Sequence, residues 1–196
     1  MPLLDAHGAL DLRLYHLLNQ DGGAALDAAM RALSAKAFGI GFGILLAALL
    51  AWRLRHAAAR ALVALGVAVL ASDLVGSQLV RPLLPRMRPC YALPAGSFRQ
   101  LAAAANGPSL PSLHASNMFA LALVAALGWP RLAPLSYVVA VAVSISRVYL
   151  GVHWPTDVIA GWVWGTLAGV LAWWLAGILT RAPPVSPTLP PQAGGR

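Results

Sequence analysis

The stretch Ser146-Arg147-Val148-Tyr149-Leu150-Gly151-Val152-His153-Trp154-Pro155-Thr156-Asp157 closes one long apolar run and opens the next. Pro155 suits the first turn of a helix, where a missing N–H is no loss. Trp154, which precedes a proline, is pushed toward extended geometry. The stretch therefore reads as helix end, short connection, helix start. His153 falls just outside the new helix and Asp157 in its first turn. A cation, an imidazole and a carboxylate thus stand at fixed spacing inside an otherwise greasy chain. Ionisable groups in such surroundings are expensive and call for a reason.

Working outward, 59% of the 196 residues are hydrophobic and only 10% are charged. A soluble domain carries roughly a quarter charged residues. Five apolar runs approach or exceed the roughly 20 residues that cross a bilayer. They are approximately Lys36–Trp52, Leu62–Val80, Ser112–Trp129, Leu132–Tyr149 and Thr156–Leu179. Leu10 to Asn19 is shorter, with leucines on one side and Asp11, Arg13 and His16 on the other, and reads as an interfacial helix. The expected fold class is all-α: a polytopic membrane helix bundle of about five transmembrane helices plus this N-terminal helix. Residues 1–181 read as a single domain. Residues 182–196, rich in proline, are expected to be disordered. One cysteine, Cys90, excludes an internal disulfide, and no Cys/His spacing suggests zinc.

The net charge of +8 would suggest nucleic acid for a soluble protein. Here the arginines lie at the ends of apolar runs, so topology and phosphate binding explain them better. Arg53, Arg55, Arg60, Arg131 and Arg181 fall on one face of a five-span chain, which is then the cytoplasmic one. The opposing signal is Arg81, Arg86, Arg88 and Arg99 in the outer loop. All three polar clusters of the chain converge on that outer face: Arg81 to Pro89, Pro111-Ser112-Leu113-His114, and the opening stretch.

Each cluster admits two readings. In the opening stretch, Asp157 can accept from one imidazole nitrogen of His153 and leave the other as a directed nucleophile or base; the alternative is a structural His–Asp pair. Ser112 looks like an N-cap with His114 in the first turn. Helix N-termini bind phosphate, and the third and fifth spans would aim two of them at one anion; simple capping beside an interfacial histidine is the alternative. Arg81, Arg88 and Arg147 carry guanidinium forks suited to phosphate oxygens. Ordinary snorkelling is the alternative, and it fits Arg86 and Arg99 best. Asp73, inside the second span, either anchors a site arginine or bonds to Ser72, Ser77 or a neighbouring helix. Lys36, at the start of the first span, either meets lipid headgroups or phosphate or, as the favoured alternative, snorkels to the interface. The Gly161, Gly165, Gly169 stripe indicates close helix packing before dimerisation. The tryptophans, Trp154 included, suit interfacial belts.

Taken together, Arg-x6-Arg-Pro (Arg81, Arg88, Pro89), Pro-Ser-Leu-His (111–114) and Ser-Arg-x5-His-x3-Asp (Ser146, Arg147, His153, Asp157) resemble the signature of the type 2 phosphatidic acid phosphatase (PAP2) superfamily. The resemblance covers about Leu62 to Leu179. Chain length and the short N-terminal segment are most similar to the small bacterial undecaprenyl pyrophosphate phosphatases. The resemblance implies that His153 attacks phosphorus and becomes phosphohistidine, with Asp157 orienting it. It implies that His114 protonates the leaving oxygen and then helps activate water. Arg81, Arg88, Ser112, Leu113 and Arg147 would hold phosphate oxygens, with no metal and no cofactor. Two departures stand out: Arg81 replaces the usual lysine, and Leu113 the usual glycine. If that glycine serves φ > 0, Leu113 would be strained.

The expectation is a lipid phosphatase of the bacterial plasma (inner) membrane, multi-pass, with its site facing the periplasm or outside. It would act on a lipid phosphate or pyrophosphate, foremost undecaprenyl pyrophosphate, to recycle the carrier lipid for cell-wall synthesis. Phosphatidic acid, phosphatidylglycerol phosphate and lipid A are rival substrates, and phosphoryl transfer to another lipid is a rival reaction. A non-catalytic lipid-binding or transport protein on the same scaffold is the alternative of another class. Nucleic acid is not an expected partner.

Overall fold

The computed structural model describes residues 3–180 apart from Ala6, so the expected disordered tail at 182–196 lies outside the described residues. The described chain is all-helical, and its one β-bridge joins Leu4 to Arg86. Two short helices, α1 (Ala9–Leu18) and α2 (Gly23–Ser34), precede α3 (Lys36–Leu54). The chain reverses at Arg55, which holds φ 49°, and re-enters as α4 (Ala58–Leu70). That helix continues without a break as a π-helical stretch, Ala71–Val80, and a last turn, α5 (Arg81–Leu83). A long connection follows, containing the single turn α6 (Pro89–Ala92). Then come α7 (Leu113–Gly128), α8 (Ala133–Tyr149) and α9 (Pro155–Leu179).

Side-chain neighbours give the directions. Gly43 lies beside Leu121 and Gly128 beside Leu50, so α3 and α7 run parallel. Gly161 and Gly165 lie against Ser112 and Ser116, and Gly169 against Ala120 and Leu123, so α9 runs parallel to both. Arg60 donates to the Trp173 carbonyl late in α9, while Trp164 earlier in α9 donates to the Ser72 carbonyl. The α4 rod therefore runs the opposite way. So does α8, whose Ser144 hydroxyl accepts from Trp162 two turns into α9 while Arg147, further along, donates to Ser34 just before α3. Consequently the N-termini of α3, α7 and α9 share one end of the bundle with the C-termini of the α4 rod and α8. Arg81, Ser112, His114, Arg147, His153 and Asp157 all belong to that end. Arg53, Arg55, Arg60 and Arg131 belong to the other.

Helix α7 is the central element and packs on α3, α4, α8 and α9. Small residues allow this: Ala115, Ser116, Ala120, Ala122 and Ala125 are all fully buried. The glycine stripe on α9 completes the contact. A Cβ at Gly165 would stand 2.1 Å from the Ser116 carbonyl oxygen, and one at Gly161 2.6 Å from that of Ser112. The stripe thus serves packing within the chain, as the sequence suggests.

The outer faces are apolar. Ile40, Ile44, Leu70, Val138, Val163, Leu167 and Trp174 are among the large side chains left exposed. A belt of this extent fits hydrocarbon and is unsuited to water. By length and composition, Lys36–Leu83, Pro130–Tyr149 and Pro155–Leu179 can cross a membrane, and Leu113–Gly128 is a shorter apolar helix. The first of these is itself the hairpin that turns at Arg55. On α1, Leu10, Arg13 and Leu17 are exposed while Asp11 and Tyr15 are buried, so the edge carrying Asp11 and Tyr15 faces the protein.

Candidate active site

The connection between α8 and α9 is held by Gly151, whose φ of +81° suits glycine and whose missing Cβ would stand 2.2 Å from the Arg99 carbonyl oxygen. His153, 1% exposed, follows it. Its Nδ1 lies 3.4 Å from Asp157 Oδ2, a long contact. That oxygen also accepts from the Trp154 N–H at 2.9 Å, closing the first turn of α9. His153 Nε2 lies 3.0 Å from Arg88 Nη1, which also donates to the Val152 carbonyl at 3.0 Å. Burial holds the imidazole pKa well below its ordinary value, and the charges of Arg88, Arg147, Arg81 and His114 act in the same direction. The ring is therefore neutral, with five predicted groups close enough to influence one another.

The arginines arrive from three elements. Arg81, at the end of the α4 rod, donates through Nε and Nη2 to the Pro111 carbonyl at 3.2 and 3.1 Å. Arg88, in the connection, is buried, and burial lowers its pKa against the opposing charge of Asp157. Arg147, in the last turn of α8, donates to the Ser34 hydroxyl. Buried guanidinium nitrogens normally find acceptors. Arg88 Nε and Arg147 Nε find none among the described residues, nor does the Ser112 hydroxyl. Ser112 occupies the N-cap position of α7, but its side chain makes no capping bond. Simple capping therefore does not account for it. Its N–H instead donates to the Asp157 carbonyl at 2.9 Å, which ties the two helix starts together.

Leu113 opens α7 without positive φ, since Arg55 alone among the described non-glycine residues has that geometry. Its side chain packs on the π-helical stretch, where a Cβ at Gly76 would stand 2.7 Å from Leu113 Cδ2. The bulk is thus taken up by a glycine on a neighbouring helix. His114 lines a cleft of about 250 Å³ together with Arg31, Ser34, Lys36, Ala102, Ala103, Arg147 and Leu150. Lys36 therefore meets the site cleft. Asp73 accepts from Asn117 Nδ2 at 3.2 Å, which matches the neighbouring-helix alternative.

Several residues depart from the sequence expectation. Arg86 is not a snorkelling cation. It is buried and bridges two carboxylates, donating to Asp157 Oδ1 at 2.8 Å and to Asp11. Asp11 in turn accepts from the Thr156 N–H at 3.0 Å and from its hydroxyl at 2.6 Å. Trp154 is not an interfacial residue: it is 1% exposed, stacks on His7 and donates to the Met87 carbonyl. Arg99 pairs with Asp27 and Asp21 on the N-terminal segment. The only sequence sign of the Arg86 bridge is an aspartate on the polar edge of α1. Helix α2 lies outside the elements expected from sequence, yet it brings Arg31 and Ser34 to the cleft.

Comparison with known proteins gives the family of the chain. A model of the PAP2 superfamily matches residues 58–181, and the chain belongs to that superfamily. An Escherichia coli K12 protein with the provisional name undecaprenyl-diphosphatase YbjG is 37% identical over 139 residues, 70% of this chain and 66% of that protein. A lipid A 4'-phosphatase of Bacteroides thetaiotaomicron is 33% identical over 60% of this chain and 55% of its own length. The chain thus matches two thirds or less of these curated relatives. The crystal structure of Aquifex aeolicus LpxE superposes with a TM-score of 0.71, covering 87% of this chain and 98% of that one at 22% identity, a likeness of fold. Family and fold are thus shown, together with helices long and apolar enough to cross a membrane.

Proposed function

We propose that the protein hydrolyses a lipid diphosphate through a phosphohistidine, foremost undecaprenyl diphosphate to undecaprenyl phosphate. The observation that carries this reading is the buried neutral His153, with Arg88, Arg147 and Ser112 presenting unmatched polar atoms at the same bundle end. An anion with several oxygens supplies the acceptors that those groups lack.

The His153 Nε2 lone pair forms a bond to phosphorus as the bond from phosphorus to the leaving oxygen breaks. Arg81, Arg88, Arg147, Ser112 and the Leu113 N–H hold the remaining oxygens, stabilising charge where it grows. His114 supplies a proton to the leaving oxygen where one is needed. It then accepts one from the water that attacks phosphohistidine, releasing inorganic phosphate and free His153. Asp157 keeps the Nδ1 proton in place.

The rods α3, α4 to α5, α7, α8 and α9 are taken as five membrane crossings. The cleft end then faces outside, because Arg53, Arg55, Arg60 and Arg131 gather at the opposite end. Domain extent is taken as residues 1–181. The lipid A phosphatases among the relatives favour a second reading, with lipid A as substrate and the same residues in the same roles. Phosphate release by purified protein from undecaprenyl diphosphate, lipid A and phosphatidic acid, with His153→Ala as control, separates these readings. Preference for the isoprenoid diphosphate supports the first, and wild-type release by His153→Ala refutes the nucleophile.

A further inference from the structure

Two cations at the cleft have no role in the chemistry above. Arg31 stands in the last turn of α2 and Lys36 is the first residue of α3. Both line the 250 Å³ cleft beside His114 and Arg147. Among the described residues neither forms an ion pair. The carboxylate four residues before Arg31, its natural helical partner, is Asp27. That group is instead taken by the Tyr149 hydroxyl at 2.5 Å and Arg99 at 2.8 Å. The junction between the helices is extended at Ala35, with ψ 138°, which ends α2 and starts α3 at the cleft. Ser34, between the two cations, accepts from Arg147 itself. Both residues precede the part of the chain that matches the family.

The chemistry of the leaving group assigns them a use. When His153 attacks the outer phosphorus of a diphosphate, the P–O bond to the bridging oxygen breaks. The electron pair leaves with a lipid monophosphate. This group gains negative charge and is weakly basic, with a second pKa near 6. Nearby cations help it leave more than a proton does. A monoester expels an alcohol, which needs the proton and presents no second phosphate. His114, the candidate proton donor, lines the same cleft, so the cleft is on the leaving side.

We propose that Arg31 and Lys36 form a subsite for the inner, leaving phosphate of a lipid diphosphate and set the preference for anhydride over monoester. This deepens the function proposed above and rests on it. The test compares kcat/KM for farnesyl diphosphate and for phosphatidic acid in detergent, for wild type, Arg31→Gln, Lys36→Gln and the double variant. Arg131→Gln, at the far end, is the control. The ratio of diphosphate to monoester kcat/KM is expected to fall about tenfold per variant, the size of one charge-assisted contact, and to stay constant in the control. Farnesyl monophosphate, the leaving group itself, should inhibit the variants more weakly. An unchanged ratio with active enzyme overturns the subsite and leaves the phosphatase reading intact. Wild-type hydrolysis of phosphatidic acid without hydrolysis of the diphosphate overturns the subsite and the diphosphate reading together, leaving a monoester phosphatase. Wild-type inactivity on both overturns subsite and function together.

Discussion

Arg88 Nη1 stands 3.0 Å from His153 Nε2. A guanidinium has no acceptor, so Nε2 receives that hydrogen bond and carries the lone pair. The ring proton then resides on Nδ1, facing Asp157 across 3.4 Å. The arginine thus selects the tautomer that the proposed attack requires, while the carboxylate sits loosely behind it. Such contacts often tighten only once substrate is bound.

Asp157→Asn offers a neutral amide in place of that carboxylate. It also removes the acceptor charge beside Arg86 and the Trp154 N–H. Turnover is expected to fall by roughly two to four orders of magnitude, mainly in kcat. Acid-quenched reactions with labelled substrate should yield less phosphohistidine. A variant with near wild-type kcat would show that Asp157 does not hold the proton.

The low pKa of His153 sets a pH dependence. Burial, reinforced by the nearby cations, keeps the ring neutral below its ordinary value of about 6.5. The unfolded chain binds this proton at a higher pH than the folded one. His153 therefore contributes stability that is present above about pH 6.5 and is lost as pH falls toward its depressed folded value. Labelled imidazole resonances of His153 are expected to stay in the neutral form at pH 6. Titration of this residue at pH 6.5 or above would refute the assignment.

Arg86 joins Asp11 to Asp157 in a buried bridge. Removing one member of such a bridge leaves uncompensated charge and typically costs about 3–5 kcal/mol. Arg86→Met should therefore lower the unfolding midpoint and reduce activity together. Asp11→Asn, which keeps the Arg86–Asp157 contact, should produce a smaller loss of both. Arg86→Met with an unchanged midpoint would mean that the bridge is not structural.

Leu113 and Gly76 are expected to behave as a coupled pair. Gly76→Ala places a Cβ 2.7 Å from Leu113 Cδ2, an overpacking that typically costs about 1–3 kcal/mol. Leu113→Gly should relieve much of that cost, so the double variant is more stable than the sum of the singles implies. Additive losses in thermal unfolding would show that the two side chains do not share that space.

Much of this arrangement is legible in the sequence because its signals are local. The apolar runs predict α3, α7, α8 and α9 to within about two residues at each end, and the α4 rod to within four. The three clusters identify the residues that meet at one bundle end. What escapes is long-range or weakly hydrophobic. The Arg86 bridge joins positions far apart in the chain, and nothing near Arg86 distinguishes it from Arg99. Helix α2 has five alanines among its twelve residues and begins at Gly22 and Gly23, which read as a break. Trp154 resembles the other tryptophans until its burial against His7 and Tyr15 is seen.

The clasp between Asp11 and Thr156 spans 145 positions of the chain. Ribosomes deliver the first of these residues long before the second. The carboxylate of the His153 pair therefore acquires its Arg86 and Asp11 supports only after the last helix has entered the bilayer and the first has docked on it. A nascent chain carrying every other helix is still without the proposed nucleophile and its partners.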